Sequence, residues 1–138
     1  MAKETHVSAQ ENGQSAFAVD IEVGTHLLRG DEPAAMGGGD LGPAPFDLLT
    51  AALAECTAMT VRWYARKHAI PLDRVRVEVV HEARQEPTAE GKSDAFSKKV
   101  VLDGSRLSDQ QRAKLIEVAA KCPVQRTLER GSVISTRF

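Results

Sequence analysis

The stretch PFDLLTAALAECTAMTVRWYARKH, residues 45–68, decides the fold of this chain. Pro45 suits the first turn of a helix, and Asp47 lies where a carboxylate complements the helix dipole. We therefore predict a helix from Phe46 to about His68. Its first half is apolar almost all round, so it requires a cover on most sides. A small domain offers too few partners for such a helix, which indicates that a second subunit supplies them.

Strand patterns precede this helix. Apolar and polar residues alternate from Phe17 to Val23, and this period of two predicts a strand with one face on a core. His26-Leu27-Leu28 is predicted to return as a second strand after a tight connection at Gly24-Thr25. The glycine-rich segment 30–43 then forms either a surface loop or a mobile flap over a site. Its glycines do not have the spacing of a phosphate-binding loop, so no cofactor is expected.

Strands and helices also follow the long helix. Ser108 and Gln111 have the spacing of a capping box, which predicts the start of a helix that runs to about Lys121. We further predict a short helix over residues 123–129 and strands over residues 74–82, 96–102 and 133–138. The order β-β-α-β-β-α-α-β predicts an α+β fold with a long central helix packed on antiparallel sheets.

Length and composition exclude several classes of protein. The 138 residues predict one domain over residues 15–138, after a flexible polar tail over residues 1–14. A net charge of −1 without a basic block argues against a nucleic-acid partner. The sequence contains no secretory signal and no bilayer-length apolar run, which predicts a cytoplasmic protein without a membrane partner. The four histidines lack metal-ligand spacing, so we expect no metal.

The two cysteines are the residues with the clearest chemical potential. Cys56 lies in the middle of the predicted long helix on a mostly apolar face, where desolvation would silence a thiol unless a cation lies nearby. Cys122 directly precedes Pro123, which predicts that it caps the following helix. The helix dipole and free backbone amides would stabilise a thiolate there. Local physics therefore makes Cys122 the more acidic thiol, while inert packing is the alternative for both.

Two segments of the sequence resemble one known family. Residues 42–60, GPAPFDLLTAALAECTAMT, are similar to the central helix of the OsmC/Ohr family of osmotically inducible and organic hydroperoxide resistance proteins. Residues 122–128, CPVQRTL, resemble its second cysteine motif. The spacing between the two cysteines and the order of elements also match. The resemblance covers nearly the whole chain after residue 15.

The resemblance implies an intertwined homodimer in which two long central helices pack between two sheets. It also implies that the protein reduces organic hydroperoxides. By analogy, Cys56 attacks the peroxide and becomes a sulfenic acid, which Cys122 resolves as a disulfide. An external dithiol of the lipoyl type, or another thiol, would then reduce the disulfide. This assignment makes Cys56 the nucleophile, whereas the local reading favours Cys122.

One position departs from the family pattern. Better-studied members carry a glutamate ten residues before the first cysteine, and here that position is Phe46. Asp47 is the nearest acid and is the candidate to replace it. We expect Arg29 to be the cation that activates the thiol, with Arg126 as the alternative.

Two other functions remain open from the sequence. The protein could be a non-catalytic or differently specialised dimer that binds a small apolar ligand at the subunit interface, which the missing glutamate and the apolar surroundings of Cys56 favour. It could also be an oxidoreductase acting on protein disulfides, although the sequence has no CxxC motif. Thiol reactivity toward peroxide and toward protein disulfides distinguishes the three.

Overall fold

The computed structural model describes residues 3–83 and 86–138. The chain forms two compact units, and the division between them falls after Leu49. The single domain predicted over residues 15–138 stays a prediction. No helix in the described part of the chain is long and apolar enough to cross a bilayer.

The first unit is built on a three-stranded antiparallel sheet. Its strands are β1 (Val7–Glu11), β2 (Val19–Val23) and β3 (His26–Gly30), with β2 in the middle. The prediction of strands here is confirmed for β2 and β3. The prediction of a flexible tail over residues 1–14 is wrong at β1, because the backbone of these polar residues pairs with β2.

A buried carboxylate organises the glycine-rich loop that follows β3. Asp31 accepts hydrogen bonds from the Ser15 hydroxyl at 2.8 Å and from the backbone amides of Gly39 and Leu41 at 3.0 and 3.2 Å. Burial raises the pKa of Asp31, but these donors and the Glu32 amide outweigh burial and hold the pKa below its ordinary value. The carboxylate thus fixes the path of this loop within the first unit.

The second unit contains the hydrophobic core. The long helix α1 (Pro45–Lys67) enters it from residue 50 onward, and its bounds confirm the predicted helix. The strands β4 (Arg74–Ala83) and β5 (Asp94–Asp103) pair antiparallel, followed by the helices α2 (Asp109–Ala119) and α3 (Pro123–Arg130). The buried cluster comes from α1, α2 and the segment before β4, and comprises Val61, Ala65, Leu72, Leu115 and Ala119.

Local signals position the helix α2 as predicted. The Ser108 hydroxyl accepts from the Gln111 amide at 3.0 Å, and the Gln111 side chain accepts from the Ser108 amide at 3.0 Å, which completes the capping box. Arg112 then donates to the carbonyls of Leu102 and Gly104 at 2.8 and 3.0 Å, tying α2 to the end of β5. The α+β fold class is confirmed.

The prediction of a strand over residues 133–138 is wrong. These residues adopt no regular secondary structure, and the side chains of Val133, Ile134 and Phe138 are exposed. A strand needs a neighbour for its backbone hydrogen bonds, and the sheets in the described part of the chain consist of β1–β2–β3 and β4–β5. In the described part of the chain, no strand pairs with these residues.

The core predicts a clear contrast between two neighbouring residues of α2. Leu115 is completely buried, so Leu115→Ala should lower the free energy of unfolding by about 2–5 kcal/mol. Ile116 is 46% exposed, so Ile116→Ala should cost less than about 1 kcal/mol. Urea unfolding followed by circular dichroism measures both values. Equal losses would contradict this description of the core.

Candidate functional site

Consecutive residues of α1 divide their side chains between a groove and the interior. Neighbouring helical positions point about 100° apart, so Cys56 and Thr57 face different surroundings. Cys56 is half-buried and lines an open groove, whereas Thr57 is fully buried. The helix therefore presents a thiol to one side and a hydroxyl to the other.

The second thiol caps α3, as the sequence predicts. Cys122 is the N-cap residue, and its sulfur accepts the backbone N–H of Gln125 at 3.4 Å. Pro123 occupies the first helical position, where its missing N–H removes no hydrogen bond. The Cys122 side chain has no exposed surface. Its sulfur is therefore an interior acceptor at the positive end of a helix dipole.

Thr57 connects this sulfur to a lysine. The Lys98 amine on β5 donates to the Thr57 hydroxyl oxygen at 3.1 Å and to the Ala119 carbonyl at 2.6 Å. The Thr57 hydroxyl lies 2.8 Å from the Leu53 carbonyl and 3.4 Å from the Cys122 sulfur. A hydroxyl carries a single hydrogen, so these two acceptors compete for it. A thiolate would compete better than a thiol, because charged acceptors form stronger hydrogen bonds.

These contacts decide the acidity of the buried thiol. Burial raises the pKa of Cys122, but hydrogen bonds from Thr57, the Gln125 amide and the Cys56 thiol lower it, as does the charge of Lys98. Together they hold the pKa below the ordinary value of a cysteine. The effect of Cys56 on this pKa indicates that the two cysteine side chains are neighbours. Both cysteines are free thiols.

Neighbouring groups also change the pKa of Lys98. Burial lowers the pKa of Lys98 below its ordinary value, while the negative charges of Cys122, Cys56 and Glu129 partly restore it. The cluster thus couples an amine and two thiols in one partly desolvated site. Among the described residues, no group of three His, Cys, Asp or Glu side chains could hold a metal ion.

An open groove leads to Cys56. It has a volume of about 650 Å³ and a mainly apolar lining. Met59 and Trp63 are about 60% exposed on this face of α1, and α3 contributes Pro123 and Val124. Glu55 and Lys121 supply charge to the lining. Cys122 does not line the groove, so a small molecule that enters it meets Cys56 first.

Two of the four predicted site residues come together, and the other two have partners in the first unit. Cys56 and Cys122 share the site described above. The Arg29 guanidinium on β3 lies 3.9 Å from the Asp20 carboxylate, with both side chains almost half exposed. Asp47 accepts the backbone N–H of Ala44 at 2.9 Å, at the beginning of α1. The roles predicted for Arg29 and Asp47 stay predictions.

Lys98 was missed by the sequence analysis, although the sequence contains a signal for it. Side chains alternate between the two faces of a strand, so Lys98 shares the inward face of β5 with Phe96 and Val100. Its cross-strand partner is Val79. A lysine at an apolar position of an amphipathic strand marks a charge that needs an interior partner.

The fold and the site define an α+β protein with two neighbouring free thiols, one of which lines an apolar groove. A family model described as OsmC-like protein matches residues 37–137. The chain therefore belongs to the OsmC-like protein family, which confirms the resemblance found in the sequence.

Solved structures agree with this family. An OsmC-like protein from Mycoplasma pneumoniae is 19% identical with a TM-score of 0.70, and the match covers 94% of this chain and 89% of that chain. An organic hydroperoxide resistance protein OsmC from Legionella pneumophila is 21% identical with a TM-score of 0.64, covering 93% and 90%. The organic hydroperoxide resistance protein OhrB of Bacillus subtilis is 20% identical with a TM-score of 0.58, covering 91% and 90%. These structural similarities show the fold. No curated protein sequence matches the chain.

The site predicts that access, not acidity, decides which thiol reacts with a small reagent. Iodoacetamide should alkylate Cys56 at least about tenfold faster than Cys122, because labelling of Cys122 requires a local opening of the structure. Peptide mass spectrometry after timed labelling of the native protein measures both rates. Labelling in urea is the control and should remove the difference. Faster native labelling of Cys122 would contradict its burial.

Proposed function

We propose that this protein is a thiol peroxidase that reduces organic hydroperoxides with Cys56 and Cys122. The observation that carries the proposal is that two free, neighbouring thiols differ in accessibility. One thiol lines an apolar groove, and the other is buried with donors that favour its thiolate. This arrangement suits a reaction in which one sulfur meets the substrate and the second closes a disulfide.

In the first step, the Cys56 thiolate attacks the terminal oxygen of a hydroperoxide in the groove. A sulfur–oxygen bond forms, the peroxide O–O bond breaks, and the departing alkoxide takes a proton to leave as an alcohol. Cys56 becomes a sulfenic acid, having lost two electrons to the peroxide. The apolar lining of the groove favours a hydroperoxide with an organic substituent over hydrogen peroxide.

In the second step, the Cys122 thiolate attacks the sulfenic sulfur of Cys56. The S–S bond forms, the S–O bond breaks, and the departing hydroxide takes a proton and leaves as water. An external dithiol, of the lipoyl type or another, then reduces the disulfide by thiol–disulfide exchange and is itself oxidised. The cycle requires no metal and no bound cofactor.

The similar structures support this function. Those from Legionella pneumophila and Bacillus subtilis are organic hydroperoxide resistance proteins. We include in the proposal the roles that the family resemblance implies for Arg29, as the cation that orients the peroxide, and for Asp47, as its acidic partner. The reaction also needs a compartment that supplies reduced dithiols, and the cytoplasm is one.

We further propose that the protein acts as a homodimer. The apolar side chains of Met59 and Trp63 are 61% and 59% exposed on α1, and Val133, Ile134 and Phe138 are more exposed still. Apolar surface of this kind indicates an interaction site. A second copy of the chain would cover the long helix, as the sequence pattern of α1 requires.

A dimer that binds a small apolar ligand without catalysis is the second candidate. The open groove of about 650 Å³ has the size of a ligand pocket. Under this alternative, both thiols would resist hydroperoxide, and a thiol count before and after treatment would remain at two. The ligand would protect Cys56 from alkylation.

Two cysteine variants test the peroxidase directly. With cumene hydroperoxide and a dithiol, Cys56→Ser should reduce turnover to the background rate, because it removes the nucleophile. Cys122→Ser should still react once and accumulate a sulfenic acid at Cys56, which dimedone captures. The wild-type protein should instead lose two hydrogens in intact mass, as a disulfide forms. Turnover is measured as the rate at which hydroperoxide disappears.

Met59 provides a control for this experiment. It lines the groove and is 61% exposed, so its oxidation would also add one oxygen to the mass. The measurements are therefore repeated in Met59→Leu protein, where the dimedone adduct and the disulfide should persist. Full turnover by Cys56→Ser would refute the proposed nucleophile.

A further inference from the structure

Lys98 is a charged residue in an interior position that the peroxidase cycle described above does not use. Its amine projects from β5 and donates to two groups, the Thr57 hydroxyl on α1 and the Ala119 carbonyl at the end of α2. These donations place a cation between three elements that surround the Cys122 sulfur. Its neighbour Lys99 is exposed on the opposite face of β5.

Thr57 transmits the effect of this cation to the sulfur. Lys98 donates to the Thr57 oxygen, so the single hydroxyl hydrogen of Thr57 is left to bind either the Leu53 carbonyl or the Cys122 sulfur. A negatively charged sulfur would draw this hydrogen, because charge-assisted hydrogen bonds are the stronger ones. Lys98 polarises the hydroxyl in the same direction.

Groups on three elements favour the ionised form of Cys122. They are the Thr57 hydroxyl and the Cys56 side chain on α1, the Gln125 amide on α3 and the Lys98 ammonium on β5. Glu129 on α3 acts on Lys98 and favours its protonated form. Both sulfurs favour the protonated amine of Lys98, and the Thr57 hydroxyl links this amine to Cys122.

We propose that Lys98, acting through Thr57, keeps the buried Cys122 sulfur ionised and so sets the rate at which the disulfide closes. Lys98 is thus a positioning residue for the second step of the cycle. This inference rests on the proposed function. It does not line the groove, so the first attack on the peroxide depends on it less. A protonated Cys122 cannot attack the sulfenic sulfur, so closure slows about tenfold for each unit by which its pKa exceeds the ambient pH.

The test separates the two steps of the reaction. One equivalent of cumene hydroperoxide is added, and the sulfenic acid is trapped with dimedone at successive times. In Lys98→Met, Cys56 should form its sulfenic acid at nearly the wild-type rate, but the disulfide should close about tenfold more slowly at neutral pH. Lys98→Arg retains the cation and should close faster than Lys98→Met. Lys99→Met is the matched control and should behave as wild type.

A second measurement does not depend on peroxidase activity. In Cys56→Ser protein, Cys122 is the remaining thiol. Its ultraviolet thiolate absorbance is titrated with pH, with and without Lys98→Met. The lysine substitution should shift the titration upward by about one pH unit. If Lys98 had a purely structural role, its replacement would leave the pH at which Cys122 titrates unchanged.

The outcomes distinguish the two proposals. Unchanged closure and an unchanged Cys122 titration in Lys98→Met would overturn the role of Lys98 and leave the peroxidase intact. Failure of the wild-type protein to form a sulfenic acid would overturn the peroxidase, while the titration would still decide the effect of Lys98 on Cys122. If Lys98→Met does not fold, Thr57→Val removes the connecting hydroxyl at similar volume. It should shift the Cys122 titration upward, and no shift would overturn the proposal.

Discussion

A sulfur atom without exposed surface needs its hydrogen bonds from the protein, and the whole site follows from this constraint. Cys122 obtains them from α1, α3 and, through Thr57, from β5. Each donor lies on a different helix or strand. The long helix places Thr57 in the interior, the start of α3 at Pro123 leaves the Gln125 amide without an acceptor in its own helix, and β5 places the partly buried Lys98 beside Thr57. Loss of any one would leave a buried polar atom short of a partner.

Acidity and access are properties of different thiols in this site. The local reading of the sequence favoured Cys122 as the acidic thiol, and the family resemblance favoured Cys56 as the nucleophile. In the structure, the hydrogen-bond donors converge on Cys122, while the groove reaches Cys56. A two-step reaction can use both properties at once. The thiol that meets the substrate need not be the more strongly stabilised anion.

The sequence predicted those features that depend on neighbouring residues. The bounds of α1, the Ser108 capping box and the Cys122 cap are all decided within a few positions of the chain. It failed where a feature depends on distant residues. Residues 133–138 have the pattern of a strand without a neighbour to pair with, and β1 is a strand because β2 is there to pair with it. The strand pattern of β5 marks Lys98 as a lysine on the inward face, but its contacts with Thr57 and Ala119 are with residues far from it in sequence, and these the sequence does not show.

The sulfur that caps α3 is also the sulfur that a disulfide would consume. As a thiolate, Cys122 offers the first turn of α3 a charged acceptor, whereas a bridged sulfur is neutral and binds an amide N–H weakly. The start of α3 would therefore be capped less strongly in the disulfide form than in the dithiol form. A protein whose fold prefers its dithiol form gives the bridge a more oxidising potential. In the proposed cycle, the start of α3 would thus favour reduction of the disulfide.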